Sequence, residues 1–337
     1  MKAVTYNTGL PAKHPESQVD TVVDRPQPGP RDLLVEVWAI SVNPVDTKVR
    51  GGGGPGSTVP ILGWDAAGVV TEVGSAVTLF KPGDEVYYAG VINRSGSYAE
   101  YQLVDERLVG HKPTSISFPE AAALPLTTIT AWEMLFDRLR LRVGQPIAAG
   151  SILIVGGAGG VGSIATQLAR RLTGLTVIAT ASRPETHAWA RDMGAHHVID
   201  HRQPLSAQVR AIVPGGVNYV LALTRTEHHY DEIIAAMAPQ GALALIENPA
   251  TPLDIVKLKP KSISLHWEFM FTRGLFETPD MCEQGRLLTE VANLVDAGLI
   301  RSTIHANFGT INAANLRLAH ALVESGKSIG KVVLTGF

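Results

Sequence analysis

The chain has 337 residues, with 45% apolar and 18% charged side chains, a soluble globular composition long enough for two domains. Its formal net charge of -2 gives no bulk attraction to nucleic acid or to an anionic membrane surface. The single cysteine, Cys282, excludes an intramolecular disulfide and any zinc site built on two or more cysteines.

The opening MKAVTYNTGL has neither the apolar core nor the cleavage site of a signal peptide, so a cytoplasmic protein is expected. Up to Phe118 the chain is rich in Val, Gly and Pro. Leu33–Val42, Ala66–Gly74 and Asp84–Val91 are β-branched or aromatic runs bounded by turn signals and read as strands. Lys81-Pro82-Gly83-Asp84 is a turn, with Pro to fix φ and Gly to accept a positive φ. Pro119–Leu139 then reads as helical stretches on either side of a Thr-rich step. Val143–Ala169 is the longest uncharged run, but its seven glycines argue against a lipid-buried helix, so no membrane partner is expected.

From Ser151 onward strands and helices alternate. Ser151–Val155, Leu175–Ala181, His196–Asp200, Val217–Leu223 and Gly241–Glu247 read as buried strands, with amphipathic helical patterns between them. That rhythm predicts an α/β fold: a doubly wound parallel sheet with helical crossovers. The His228-His229 pair reads as the start of a helix rather than a metal site, and Lys331-Val332-Val333-Leu334 as a closing strand.

Five glycines fall within Gly156–Gly162. Gly157, Gly159 and Gly162 fit the G-x-G-x-x-G pattern, with Gly160 and Val161 between the last two. A strand precedes the motif, and Val161, Ile164, Ala165, Leu168 and Leu172 follow at helical spacing. In that context the first glycine serves a tight turn, the second a close backbone approach to a pyrophosphate, and the third helix–strand packing. The N–H groups at the helix start then bind phosphate. An acid about 20 residues further on would mark NAD. Ser182 and Arg183 stand there instead, a hydroxyl and a guanidinium suited to a 2′-phosphate, so NADPH is the expected cofactor. The missing acid also argues against an S-adenosylmethionine methyltransferase.

Taken with SVNPVD (Ser41–Asp46), GWDAAGVV (Gly63–Val70), KPGDEVY (Lys81–Tyr87), ALPLTTITAWE (Ala123–Glu133), MGAHHVIDH (Met193–His201), SISLHWEFMFTR (Ser262–Arg273) and GKSIGKVVL (Gly326–Leu334), the glycine motif resembles the medium-chain dehydrogenase/reductase superfamily. The resemblance is closest to its zinc-independent quinone-oxidoreductase branch, which includes members labelled zinc-type alcohol dehydrogenase-like. It implies a β-rich GroES-like catalytic domain, residues 1–125 and 271–337, with a Rossmann nucleotide-binding domain, 126–270, inserted into it. It also implies a homodimer formed through Rossmann edge strands near Ser262–Phe269.

The resemblance also bears on metal and site. Asn43 and Trp64 stand where zinc-dependent relatives carry Cys and His, no Cys lies near Thr127, and the four-Cys structural lobe is missing, so no metal is expected. It places Asn43 and Thr127 near the nicotinamide and its ribose, His201 near the adenosine phosphate, and Leu223, Asn248 and Phe271 after strand ends on the cofactor side. Asp46 is expected to hold its loop, and Lys331 to anchor the last strand. Lys48 and Arg50 are candidates to donate a proton or bind an anionic substrate, against the plainer reading of solvated loop charges. No tyrosine stands between Asp46 and Trp64, which argues against acyl-thioester chemistry. The loop Gly51–Ser57 is glycine-rich enough to form a mobile lid. The expected activity is NADPH-dependent hydride transfer to a small-molecule electrophile, a quinone or an α,β-unsaturated carbonyl. The alternatives are a non-catalytic NADPH-binding sensor or structural protein and, less favoured without zinc, an alcohol/aldehyde dehydrogenase.

Overall fold

The computed structural model of the protein describes residues 1–53, 59–144 and 150–337. The chain divides into two compact units, Met1–Ile129 with Met270–Phe337, and Thr130–Phe269.

The first unit begins with an antiparallel pair, β1 (Lys2–Tyr6) and β2 (Gln18–Val22). The long β3 (Asp32–Val42) runs into α1 (Pro44–Arg50), whose first residue is a proline, with φ already set for a helix and no N–H to leave unpaired. Strands β4 (Asp65–Val73), β5 (Glu85–Ala89), β6 (Tyr101–Asp105) and β7 (Val109–His111) follow. The Lys81–Asp84 turn joins β4 to β5, with Gly83 at φ 95°. Of the glycine-rich loop, residues 54–57 lie outside the described residues.

Two helices come next, α2 (Phe118–Ala122) and α3 (Pro125–Trp132). The Thr-rich segment is therefore helical. The break falls at Ala123-Leu124, just ahead of Pro125, because a proline disfavours helical geometry in the residue before it. α3 passes into a π-helical turn, Glu133–Arg138.

The second unit is a six-stranded parallel sheet with helical crossovers: β8 (Ser151–Val155), α4 (Gly160–Leu172), β9 (Thr176–Thr180), α5 (Pro184–Asp192), β10 (His197–Ile199), α6 (Leu205–Ile212), β11 (Val217–Ala222), α7 (Thr226–Ala236), β12 (Met237–Leu245) and β13 (Ser264–Trp267). The spatial order is β10-β9-β8-β11-β12-β13, which is the dinucleotide-binding order 3-2-1-4-5-6. β8 is buried at all five positions because both faces of the sheet are covered by crossovers. Leu153, Ile178, Val220, Ile233 and Leu243 belong to its core. The sheet order reverses between β8 and β11, so the glycine turn after β8 stands at the switch point.

The chain then returns to the first unit through α8 (Thr272–Leu275), α9 (Glu283–Asp296), β14 (Ile304–Asn307), α10 (Ala313–Glu324) and β15 (Lys331–Thr335). The tail completes a seven-stranded sheet in the order β14-β15-β3-β4-β5-β7, with β6 on β3. Most pairings are antiparallel; β14 and β15 run parallel. The expected GroES-like sheet domain and Rossmann-like parallel sheet are thus both present. Among the described residues no helix is long and apolar enough to cross a membrane.

Candidate functional site

In the second unit the glycines have separable jobs. Gly156 has φ 90°, a region closed to most side chains, and it makes the tight turn assigned from the sequence to Gly157. Gly157 is required by packing instead: a Cβ there would lie 2.6 Å from the Ala179 Cβ on β9. A Cβ on Gly162 would lie 2.2 Å from the Gly156 carbonyl oxygen, so this glycine lets α4 close onto the turn. Gly159 differs from all of these. Its φ of -76° suits any residue, and an added Cβ would meet only the Gly156 oxygen, at an ordinary 3.5 Å. Neither backbone geometry nor packing calls for glycine at 159. What a side chain would fill is the space at the mouth of α4, whose start has no side-chain cap.

Strand ends border this mouth. Thr180, the last residue of β9, accepts the Gly156 N–H on its hydroxyl at 3.0 Å, and the Gly157 N–H reaches its carbonyl at 3.1 Å. This support was not singled out from the sequence. Ser182 and Arg183 follow, both half-buried. Arg183 immediately precedes α5, its N–H donating to the Thr186 hydroxyl at 3.1 Å, and its Nε pairs with Glu185 at 3.2 Å. His201 lies just beyond β10, half-buried, with its ring 6.0 Å from that of His229; burial holds both rings below the usual imidazole range, His229 at about 4. α7 begins two residues before the His228-His229 pair, as expected of a helix start. Leu223 donates its N–H to Val155 at 3.2 Å, beside the end of β8. Asn248 is exposed beyond β12.

Phe271 follows the end of β13. It belongs to the first unit and is buried edge-on against Trp64, with centroids 5.9 Å apart.

The first unit holds a buried polar cluster. Asn43 precedes α1 and is 1% exposed. Its carboxamide N–H groups donate to Asp65 Oδ2 at 2.8 Å and Ser41 O at 3.4 Å, while its Oδ1 accepts from the Lys331 ammonium. Lys331 Nζ also pairs with Asp65 Oδ2 at 3.0 Å. Asp65 Oδ1 accepts the Leu126 N–H at 2.7 Å, a favourable place for a carboxylate at the start of α3. Lys331 therefore does more than anchor β15: it neutralises a buried acid. Thr127, in the first turn of α3, donates its hydroxyl to Leu124 O at 3.1 Å.

Asn43 and Thr127 thus spend their donor hydrogens inside the protein and keep acceptor lone pairs. Lys48 is exposed on α1. Arg50 is a correction. It is 2% exposed, with its guanidinium on Leu10 O, Glu324 and His320, so it is neither a solvated loop charge nor placed to meet an anionic substrate. α1 extends to Arg50, and helical phase turns this side chain inward.

A zinc ion does not fit these residues. Trp64 is fully buried and its indole N–H, a donor only, is spent on Val91 O at 3.0 Å. Asn43 and Thr127 are engaged as described, and tetrahedral zinc wants thiolate, imidazole or carboxylate. Cys282 is exposed at the start of α9, and among the described residues no group of three or more His, Cys, Asp or Glu could hold a metal.

The family model described as an alcohol dehydrogenase GroES-like domain matches residues 29–114, and the one described as a zinc-binding dehydrogenase matches residues 193–334. A Staphylococcus aureus (strain COL) relative, zinc-type alcohol dehydrogenase-like protein SACOL2177, is 43% identical, covering 96% of this chain and 97% of its own. A crystal structure from Rhizobium etli CFN 42, provisionally named a zinc-dependent alcohol dehydrogenase, is 55% identical with a TM-score of 0.95, covering 100% of this chain and 98% of its own. Escherichia coli quinone oxidoreductase complexed with NADPH superposes with a TM-score of 0.85 at 25% identity, covering 99% and 100%. The two-unit architecture, the 3-2-1-4-5-6 sheet with its glycine turn and these likenesses agree, and the chain belongs to the medium-chain dehydrogenase/reductase superfamily of oxidoreductases.

Proposed function

We propose that the protein is a zinc-independent, NADPH-dependent oxidoreductase that reduces a quinone or an α,β-unsaturated carbonyl. The observation that carries this reading is Gly159: a glycine that neither the backbone nor the packing needs, at the uncapped start of α4. A dinucleotide pyrophosphate explains it. Ser182 and Arg183 beyond β9, with no acid between them and the glycine turn's Thr180 support, favour a 2′-phosphate. The likeness to an NADPH-bound quinone oxidoreductase points the same way.

Bound NADPH supplies the hydride. The residues of this chain bind and orient. The start of α4 takes the pyrophosphate, and Ser182, Arg183 and His201 the 2′-phosphate end. Leu223 and Asn248 border the cofactor at the ends of β11 and β12. Asn43 and Thr127 act as acceptors, for a carboxamide or ribose hydroxyl, because their own hydrogens are committed elsewhere. Lys48 is the candidate to give a proton to the substrate oxygen. We further propose a homodimer formed along β13, the edge strand of the parallel sheet, where Trp267 and Phe269 are exposed.

The committed hydrogens of Asn43 and Thr127 also favour a second reading, an NADPH-binding protein without turnover, since neither residue offers a donor to a developing oxyanion. NADPH oxidation measured against quinones and enals side by side, with NADH as control, separates the two. Turnover with NADPH is expected. Tight NADPH binding with no turnover over the whole panel selects the second reading. Arg183→Ala is expected to lower NADPH affinity about tenfold or more while leaving NADH affinity in place; an unchanged ratio removes the 2′-phosphate assignment.

A further inference from the structure

A chain of buried hydrogen bonds runs from α10 to the turn that carries Asn43, and its direction can be read. Arg50 Nε can only donate, so His320 Nδ1, 3.3 Å away, accepts. The His320 proton then sits on Nε2, 3.1 Å from the Tyr98 hydroxyl oxygen, and donates to it. Tyr98 in turn donates to Asp46 Oδ2 at 2.9 Å. The same Oδ2 accepts the backbone N–H of Asn43 at 2.8 Å. Glu324 holds the far end of Arg50, and the Tyr98 and His320 rings meet edge to face with centroids 5.9 Å apart. Asp46 and His320 are fully buried, and Tyr98 and Arg50 nearly so.

We infer that Tyr98 and His320, aligned by Arg50, are positioning residues: they favour the charged form of Asp46 and so hold Asn43 at the turn into α1. The inference rests on the proposal that Asn43 orients the cofactor. Asp46 Oδ1 is buried without a partner, while Oδ2 already accepts two hydrogen bonds. A proton taken up by this carboxyl goes to Oδ1. The neutral acid is a weaker acceptor, which loosens the bond to the Asn43 N–H. The groups facing Asp46 are Asn43 and Tyr98 as donors, Lys331 as cation and Asp65 as anion, with His320 and Arg50 behind Tyr98. Burial raises Asp46 to about 7, and the Asn43 and Tyr98 hydrogen bonds with the Lys331 charge keep it from going higher. Removing the Tyr98 hydroxyl takes away one bond to the charged form.

The test follows the Asp46 carboxyl by carbon-13 NMR in wild type, Tyr98→Phe and His320→Asn, and in parallel the pH dependence of kcat/KM for NADPH oxidation with 1,4-benzoquinone. In Tyr98→Phe the Asp46 titration is expected to move up by about one pH unit, and the acid limb of kcat/KM with it. His320→Asn is expected to shift both the same way by less. Asp46→Asn is expected to abolish the acid limb and leave a low, flat activity. A merely structural role would lower activity without moving the titration, and an Asp46 midpoint unmoved in both relay variants overturns the inference. Asn43→Ala separates the two layers. Lost activity there, with an Asp46 midpoint unmoved in Tyr98→Phe and His320→Asn, removes the relay alone. Full activity there removes the reading of Asn43, and the inference with it. The NMR titration needs no turnover, so it judges the relay apart from the proposed reaction.

Discussion

Gly159 and Gly162 stand three residues apart and are glycine for opposite reasons. A Cβ at 162 would collide with a backbone oxygen, whereas one at 159 would touch nothing that has to move. Gly162→Ala is therefore expected to cost about 3 kcal/mol of stability, read from the denaturant midpoint. Gly159→Ala should leave that midpoint in place and weaken NADPH binding about tenfold or more, read by fluorescence titration. Equal stability losses in the two would remove the phosphate cradle. A second residue-scale case is Glu268, fully buried at its side chain and beside Glu133, with Arg138 Nε 2.8 Å away. Burial, then the neighbouring carboxyl, pushes its pKa up to about 9. The unfolded chain ionises this group near its ordinary value of 4.5 while the folded chain does not, so the folded state loses stability as pH rises from there to about 9. Gln cannot titrate. Glu268→Gln is thus expected to be more stable than wild type, by a margin that widens from mildly acidic to alkaline pH in urea unfolding. A constant margin would show that Glu268 is ionised in the fold.

At the scale of elements, β13 pairs with β12 on one side, and no strand covers its other side among the described residues. Trp267 and Phe269 are exposed at and just beyond its end. Trp267→Lys places a charge on this edge and is expected to convert the proposed dimer to monomer in light scattering. A wild-type monomer, or a variant that stays dimeric, would remove the edge as the interface. The helical segment after Phe118 shows how local signals compete. Three threonines at 127, 128 and 130 read as a step, yet they lie within α3, because Pro125 sets the helix start and Leu126 donates to Asp65. Tertiary contact outweighed a weak β-branched preference.

The zinc question belongs to the whole molecule, since the relatives carry zinc in their names and the residues of this chain do not fit it. Metal analysis of purified protein is expected to find no stoichiometric zinc, and NADPH turnover to survive chelation. Zinc at one per chain, lost together with activity, would overturn this. The sequence by itself determined the alternation of strands and helices, the β-rich first part and the glycine turn. These depend on apolar periodicity and on backbone angles, which are set within a few residues of each other. The tertiary structure decided what the polar residues do. Asp65 and Lys331 pair across 266 positions, and Tyr98 reaches His320 across 222. No spacing rule links such residues. Only burial, which removes water as the alternative partner, makes each of them find the other. The same burial turned Arg50 from a surface charge into the head of a hydrogen-bonded chain and spent the hydrogens of Asn43 and Thr127 before any substrate could receive them.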